Sequence, residues 1–329
     1  TGYVSAELNG ANLTENACKL ILNNGVSKEF VYYFTKSNSF IEQTGINTRV
    51  AAQPKLALNR LKTISIPLPP LPEQKRIVAI LDEAFAGISL AVANAEKNLA
   101  NARELFESYL DNVFTQKGDG WEEKRLEDVC IKVQDGAHHS PKKRYSEQTD
   151  GLFPYLTSKN IRNNYLDLSK VQYVDSSFHD TIYPRCKPEF GDVLLTKDGA
   201  NTGNVTLNTL DEPFSLLSSV CLIKPQREEI NPSFLKYYIQ SRPGFEQIIG
   251  KMTGAAIKRI ILKTIKNATI PLPDINEQNV IVKSFDELYK ESLHLEAIYQ
   301  QKLTALNELK QSTLQKAFTG ELTQREENV

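Results

Sequence analysis

"IPLPPLPEQKRIVAIL", Ile66 to Leu81, returns late in the chain as "IPLPDINEQNVIVKSF", Ile270 to Phe285. Pro67 and Pro271 stand 204 positions apart. The same offset, without a gap, pairs Glu73-Gln74 with Glu277-Gln278 and Asp82-Glu83 with Asp286-Glu287. It continues through Leu99 and Leu303, Glu104 and Glu308, and Leu110 and Leu314, and reaches Phe114-Thr115 and Phe318-Thr319. A gapless match of about 50 residues marks an internal duplication. Upstream the echo weakens: "EFVYYFTKSNSFIEQ" (29–43) answers "SFLKYYIQSRPGFEQ" (233–247) at the same offset, and "TGYV" (1–4) resembles "TGNV" (202–205) three residues out of it. Residues 121–201, opening on "GWEEKRLEDVC", have no counterpart. Their missing partner is expected before Thr1 in a parent chain. The chain begins on Thr1 and its single methionine is Met252. It therefore reads as a fragment, a processed chain or the ordered part of a longer one.

After each copy of the quoted stretch the pattern is helical. Ile77, Leu81, Ala84, Ile88, Ala91, Ala95, Leu99, Ala102, Leu105 and Tyr109 alternate in steps of three and four. That is the seam of a coiled coil. The second copy supplies Ile281, Phe285, Leu288, Leu295, Tyr299, Leu303, Leu306 and Leu309, with Ser292 and Thr313 as polar interruptions. Pro72 before Glu73, and Asn276 capping Glu277, mark the starts. Gly118 and Gly120 mark one stop and Gly320 the other. Some 42 residues at ~1.5 Å each make a rod of roughly 60 Å. An isolated amphipathic helix of that kind needs a partner, and the other copy is the natural one. Antiparallel pairing within the chain would place the two irregular regions at opposite ends. Between the helices, "KVQYVD", "GDVLLTK" and "SSVCLIKP" read as strands of a compact sheet, and "NPSFLKYYIQS" as a helix opening at Asn231-Pro232.

The 329 residues suffice for two or three domains. Apolar residues make up 40% and charged residues 24%, as in a soluble globular protein. The net charge of −1 excludes a global cationic field, so a basic surface must be local. Cys18, Cys130, Cys186 and Cys221 form no C-x-x-C pair, which leaves zinc and redox motifs unsupported. A reduced cytoplasm is the expected compartment. No apolar run resembling a membrane span stands out, so no membrane partner is expected.

Four motifs have an ordinary reading beside a chemical one. Asn231-Pro232-Ser233-Phe234 resembles the N-P-P-F box of adenine methyltransferases, but the favoured reading is an N-cap, a first-turn proline and a buried aromatic; no glycine-rich strand–turn–helix accompanies it. "GFEQIIGK" (244–251) has one residue too many for a phosphate loop, and Met252 follows where Ser or Thr should stand. Asp192 and Lys197 could form a nuclease pair, or be a turn acid and a strand-end cation. His138-His139 lack a ligand cluster. No metal ligand and no catalytic residue is assigned.

Basic stretches are more informative. "HHSPKKRYS" sets His138, His139, Lys142, Lys143 and Arg144 beside Tyr145. "KMTGAAIKRIILKTIK" carries Lys251, Lys258, Arg259, Lys263 and Lys266 without an acid. The matching first-copy stretch carries Arg49, Lys55, Arg60 and Lys62, again without one. A single run is as readily a solvated face; recurrence in both copies favours phosphate contact. Ser158, Lys159, Asn160, Arg162, Asn163, Asn164 and Lys197 to Asn201 are polar groups able to read base edges or touch phosphate.

Taken together, the chain resembles the specificity subunit of type I DNA restriction–modification systems. The features that carry this are, in order along the chain, "IPLPPLPEQKRIVAILDE", "GWEEKRLEDVC", "DGAHHSPKKRY", "PYLTSKNI", "GDVLLTKDGANTGNV" and the echo "IPLPDINEQNVIVKSFDE". The resemblance implies an α+β protein: mixed α/β target-recognition domains joined by two long helices that form an intramolecular antiparallel coiled coil. Residues 1–69 would be the C-terminal part of a first recognition domain, 70–117 a central helix, 118–273 a second recognition domain, 274–322 a C-terminal helix and 323–329 a tail. It implies a non-catalytic reader of double-stranded DNA with a bipartite target. The rod would set the gap and dock two modification (methyltransferase) subunits, with restriction subunits joining them. AdoMet, ATP and magnesium would belong to those partners, with no cofactor in this chain. An adenine methyltransferase and a coiled-coil scaffold remain the alternatives.

Overall fold

The computed structural model describes residues 1–4, 6–8, 10–14, 16–47, 56–250 and 259–323. Arg49, Lys55, Lys251 and Lys258 lie outside the described residues. The chain divides into two compact units, one of Thr1–Asn101 with His294–Val329 and one of Ala102–Leu293. Helix α1 (Lys28–Phe34) opens on Ser27, whose hydroxyl accepts from the Phe30 N–H. Helices α2 (Asn38–Asn47) and α3 (Leu58–Leu61) follow, then α4, a single helix over Leu71–Gln116.

The larger unit is built on strands. These are β1 (Glu122–Arg125), β2 (Cys130–Asp135), β3 (Leu152–Leu156), β4 (Ile161–Arg162), β5 (Tyr165–Leu166) and β6 (Gln172–Asp175). Helix α5 (Ser176–Cys186) is followed by β7 (Val193–Thr196), β8 (Val205–Leu207), β9 (Ser215–Leu216) and β10 (Val220–Pro225). Helices α6 (Pro232–Gln240), α7 (Arg242–Ile248) and α8 (Leu262–Lys266) and strand β11 (Thr269–Leu272) complete it. The central sheet is antiparallel in the order β2-β10-β7-β8. It is covered on both faces, so β7 and β10 read as continuous apolar runs. Side chains alternate between two cores: Val193, Leu195, Cys221 and Ile223 in one, Leu194, Val220 and Leu222 in the other. The first core also takes Phe234, Tyr237 and Tyr238 from α6 and Phe106, Leu110 and Phe114 from α4. The second is closed by Leu156, Ile161, Cys186 and Phe214. A further sheet, β6-β3-β9, lies beyond it, its β3–β9 pair parallel.

Helix α9 runs from Ile275 to Thr319. Its cap is Asp274, whose carboxylate accepts from the Asn276 and Glu277 N–H groups, and not Asn276 as expected. Helix α4 stops at Lys117, which takes the left-handed conformation itself (φ 53°). The next residue has to be glycine for another reason: a Cβ on Gly118 would meet the Trp121 indole nitrogen at 2.6 Å. That nitrogen donates to Glu277 in the first turn of α9, 2.9 Å away.

The two long helices pair antiparallel. In the first unit Ile77 and Leu81 of α4 pack with Leu314 and Ala317 of α9, around Phe30 of α1. In the second unit Phe106 packs on Phe285 and Tyr289, and the Ser292 hydroxyl donates to the Ala102 carbonyl. Of the expected seam residues, Ile77, Leu81, Ile88 and Phe285 are buried, and Leu99, Ile281, Leu288 and Leu303 are half-buried. Leu105 and Leu309 are neither: they are 45% and 52% exposed. Phe106, Leu110 and Phe114 are buried in place of Leu105 and Tyr109, and Leu314 takes the buried place beyond Leu309. A straight helix drifts ~20° per heptad, so a strict heptad read from Ile77 has left the packed face by Leu105, about three turns before the end. The first core of the larger unit, and not α9 alone, takes that face: Phe114 packs against Phe234 and Tyr238.

Contrary to expectation, part of α4 is long and apolar enough to cross a membrane by length and composition. The same stretch holds the pairing residues Ile77, Leu81 and Ile88, and its Asp82 accepts a hydrogen bond from Tyr33.

Candidate nucleic-acid interface

Strands β2 and β7 flank β10 and run the same way, so their C-terminal ends meet at one edge of the sheet. There Asp135 ends β2 and Lys197 follows β7. Asp135 is the hub. One carboxylate oxygen lies 2.7 Å from the Arg185 guanidinium; the other lies 3.1 Å from His138 Nε2 and 3.7 Å from the Lys197 ammonium. Burial pushes this carboxyl up, but the Arg185 hydrogen bond and the charges of His138, Lys197 and Arg185 outweigh it. Asp135 therefore stays below the usual carboxylate range. The position depends on Gly136, where any Cβ would stand 2.2 Å from the Leu216 carbonyl. Without a side chain there, Ala137 bridges to Leu217 and the loop to His138 leaves the sheet at this point.

Asp198 is a second hub, 2.8 Å from Lys197 Nζ and 3.4 Å from Arg259 Nε. The Arg259 backbone pairs with Asp198 in a β-bridge, and the Ile260 N–H donates to the Lys197 carbonyl. Asn201 donates to the Ser158 carbonyl at 3.0 Å, and the Ser158 N–H to the Ser219 hydroxyl at 3.1 Å. Four stretches far apart in sequence, at 135–138, 158–160, 197–201 and 259–260, thus converge. His138, Ser158, Lys159, Asn160, Lys197, Asn201 and Arg259 come together here.

Their roles differ. Lys197 is only 6% exposed and its charge is held by two aspartates. Asn160 is buried too: its carbonyl accepts from the Thr157 N–H and its amide donates to the Asp167 carbonyl. Arg162 pairs with Asp167 at 3.4 Å. These three shape loops. His138, Lys159 and Arg259 are exposed at the edge.

A second basic group lies along β6-β3-β9. Tyr145 bridges to Tyr173 of β6, Lys143 stands 4.7 Å over the Tyr145 ring, and Arg144 stands 5.6 Å over Tyr155 and donates to Gln172. His139 meets Phe178 edge-on and Lys142 is exposed. Lys263 is exposed on α8, apart from these contacts.

Among the described residues the rival chemistries are not assembled. Asn231 caps α6, accepting from the Ser233 and Phe234 N–H groups, and Phe234 is fully buried. Asp192 binds Lys224 and the Glu189 N–H, on different partners from Lys197. The "GFEQI" stretch is the body of α7. Among the described residues no group of three or more His, Cys, Asp or Glu could hold a metal. Asp135 and Arg185 escaped the sequence reading, which held Asp198 only as one of the polar residues Lys197 to Asn201. The signal of Asp135 was an acid beside glycine ("QDG") before a cationic loop, which also marks an ordinary turn; Arg185 had none.

The family model for the type I restriction modification DNA specificity domain matches residues 1–98 and 118–305. The chain belongs to the type I specificity-subunit family. Among its relatives is the EcoBI specificity subunit of Escherichia coli, 26% identical over 95% of this chain and 70% of that protein. The EcoKI specificity subunit of E. coli K12 is 25% identical over 89% of this chain and 65% of that protein. The specificity-subunit fold also recurs in solved structures. One, from work on assembly and conformational transition of the type I R-M system, has a TM-score of 0.75 at 23% identity, over 91% of this chain and 72% of that one. The HsdS subunit from Thermoanaerobacter tengcongensis has a TM-score of 0.59 at 22% identity, over 91% and 71%.

Proposed function

We propose that this chain is the DNA-recognition subunit of a type I restriction–modification complex and reads a bipartite duplex target without performing catalysis. The convergence of four distant polar segments on one sheet edge carries this reading. Buried Asp135 and half-buried Asp198 hold Lys197 between them, and the exposed His138 and Arg259 pair with Asp135 and Asp198 in turn. Fixed donors of this kind read base edges, while the flanking Lys142, Lys143, Arg144 and Lys263 suit phosphate. Residues 1–69 would belong to a first reader and 118–273 to a second, with the helices over 70–117 and 274–322 as spacer.

Docking of the modification subunits is supported by an open apolar groove in the first unit. Ile80, Ala84, Gly87, Ile88 and Ala91 of α4 and Leu306 and Leu309 of α9 line about 600 Å³ of it. A solved relative comes from work on assembly of such a complex. AdoMet, ATP and magnesium would act on those partners, in the cytoplasm.

The test is the map of methylated adenines in cells with the intact protein and in cells lacking it. A two-part motif that disappears with the protein is the expected result. An unchanged map, or methylation by this chain purified alone with AdoMet, overturns the proposal.

A further inference from the structure

The duplication left more than a sequence echo: it left the same hydrogen-bonded joint twice. At the start of α4, Gln74 is 1% exposed. Its carbonyl accepts from the Ser27 N–H (2.8 Å), and its amide donates to the Gly25 (3.1 Å) and Pro69 (2.8 Å) carbonyls. At the start of α9, Gln278 is 0% exposed. Its carbonyl accepts from the Asn231 N–H (2.8 Å), and its amide donates to the Glu229 (2.9 Å) and Pro273 (2.9 Å) carbonyls. Two turns on, Tyr33 donates to Asp82 and Tyr237 to Asp286. Every partner corresponds at the 204-residue offset.

Each glutamine therefore binds three chain segments at one point: the first turn of a long helix, the proline run leading into it, and the turn before α1 or α6. All three of its hydrogen-bonding groups are engaged, and all its partners are backbone. Apolar contacts such as Phe30 on Ile77 hold surfaces together without fixing their angle. Hydrogen bonds lose strength steeply off axis. The amide and the tyrosine–aspartate pair, separated along the helix, together fix both tilt and rotation.

We infer that Gln74 with Tyr33–Asp82, and Gln278 with Tyr237–Asp286, are positioning residues that set the pose of α1 and of α6, and with each the reader it belongs to, on its own long helix, and so the gap length the subunit accepts between half-sites. The inference rests on the bipartite reading proposed above. None of these residues lies in the candidate interface, so their loss should leave half-site sequence preference alone.

The experiment uses the full-length protein assembled with its modification subunits. Its probes are duplexes carrying the mapped target, the same target with one base pair added to or removed from the gap, and the same target with one half-site scrambled. The variants are Gln278→Met, which keeps the volume, and the double change Tyr33→Phe with Tyr237→Phe, which keeps the packed rings. Expected is a fall of roughly tenfold in preference for the native gap, with preference over the scrambled half-site unchanged. If Gln278→Met does not fold, the double tyrosine variant alone decides. Folded variants with native gap preference overturn the inference and leave the bipartite reading standing. A wild-type complex indifferent to the scrambled half-site removes both.

Discussion

Lys236 is a cation in the wrong place for stability. It sits in α6, buried, with its ammonium 3.8 Å over the Tyr237 ring. Burial brings its pKa down to about 8, against the opposing pull of Asp286. An unfolded lysine titrates near ~10.4. Between about pH 8 and 10.4 the unfolded chain holds a proton that the folded chain lacks, so stability rises with pH across that window. Below pH 8 the full penalty is present. Lys236→Met should thus stabilise the protein by about 1–3 kcal/mol at pH 7, and the gain should vanish above about pH 10.4. Urea unfolding at the two pH values measures it; a loss at pH 7 would mean that the contacts to Tyr237 and Asp286 outweigh desolvation. No local pattern announced this lysine, because "FLKYYI" reads the same whether the third residue points in or out. The same limit governed the interface. Lys197 and Arg259 look alike as letters, yet one is buried between two aspartates and the other is exposed. Burial and partner choice are set by strand pairings that bring distant residues together.

At the scale of the element, the long helices were legible because each carries its own period. Where the period failed, a second surface was competing for the helix. Phe106 meets Tyr237, Phe285 and Tyr289, while its neighbour Leu105 lies outward. Phe106→Ala should therefore cost about 3–5 kcal/mol, and Leu105→Ala about 0.5 kcal/mol or less. Thermal or denaturant unfolding of the two variants compares them directly. The reverse order would restore the strict heptad. The strands were legible as short apolar runs, but their order was not. β2 and β10 pair across some 90 residues of intervening chain, and such pairings leave no local signature.

The whole molecule turns on the repeat, and the repeat makes a quantitative statement about length. Both long helices pass through the division between the two units, which falls after Asn101 in α4 and after Leu293 in α9. The contact of Ser292 with the Ala102 carbonyl fixes their register in the second unit. Seven residues inserted before Ala102 and seven after Ser292 keep every apolar residue on its seam, since one heptad nearly closes two helical turns. Seven residues add ~10 Å of helix, comparable with about three base pairs at ~3.4 Å each. If the helices act as spacer, the accepted gap should lengthen by up to about that amount while both half-site sequences stay as they were. Methylation mapping in cells carrying the double insertion reads both quantities at once. Inserting the heptad in one helix only is the control, because it shifts one seam against the other and should abolish specific methylation. The joints at Gln74 and Gln278 are untouched by either insertion, so a lengthened rod should move the preferred gap without broadening it, whereas a loosened joint should broaden it without moving it. A double insertion that folds and still selects the original gap would mean that spacing is set elsewhere, by the partner subunits or by the DNA itself.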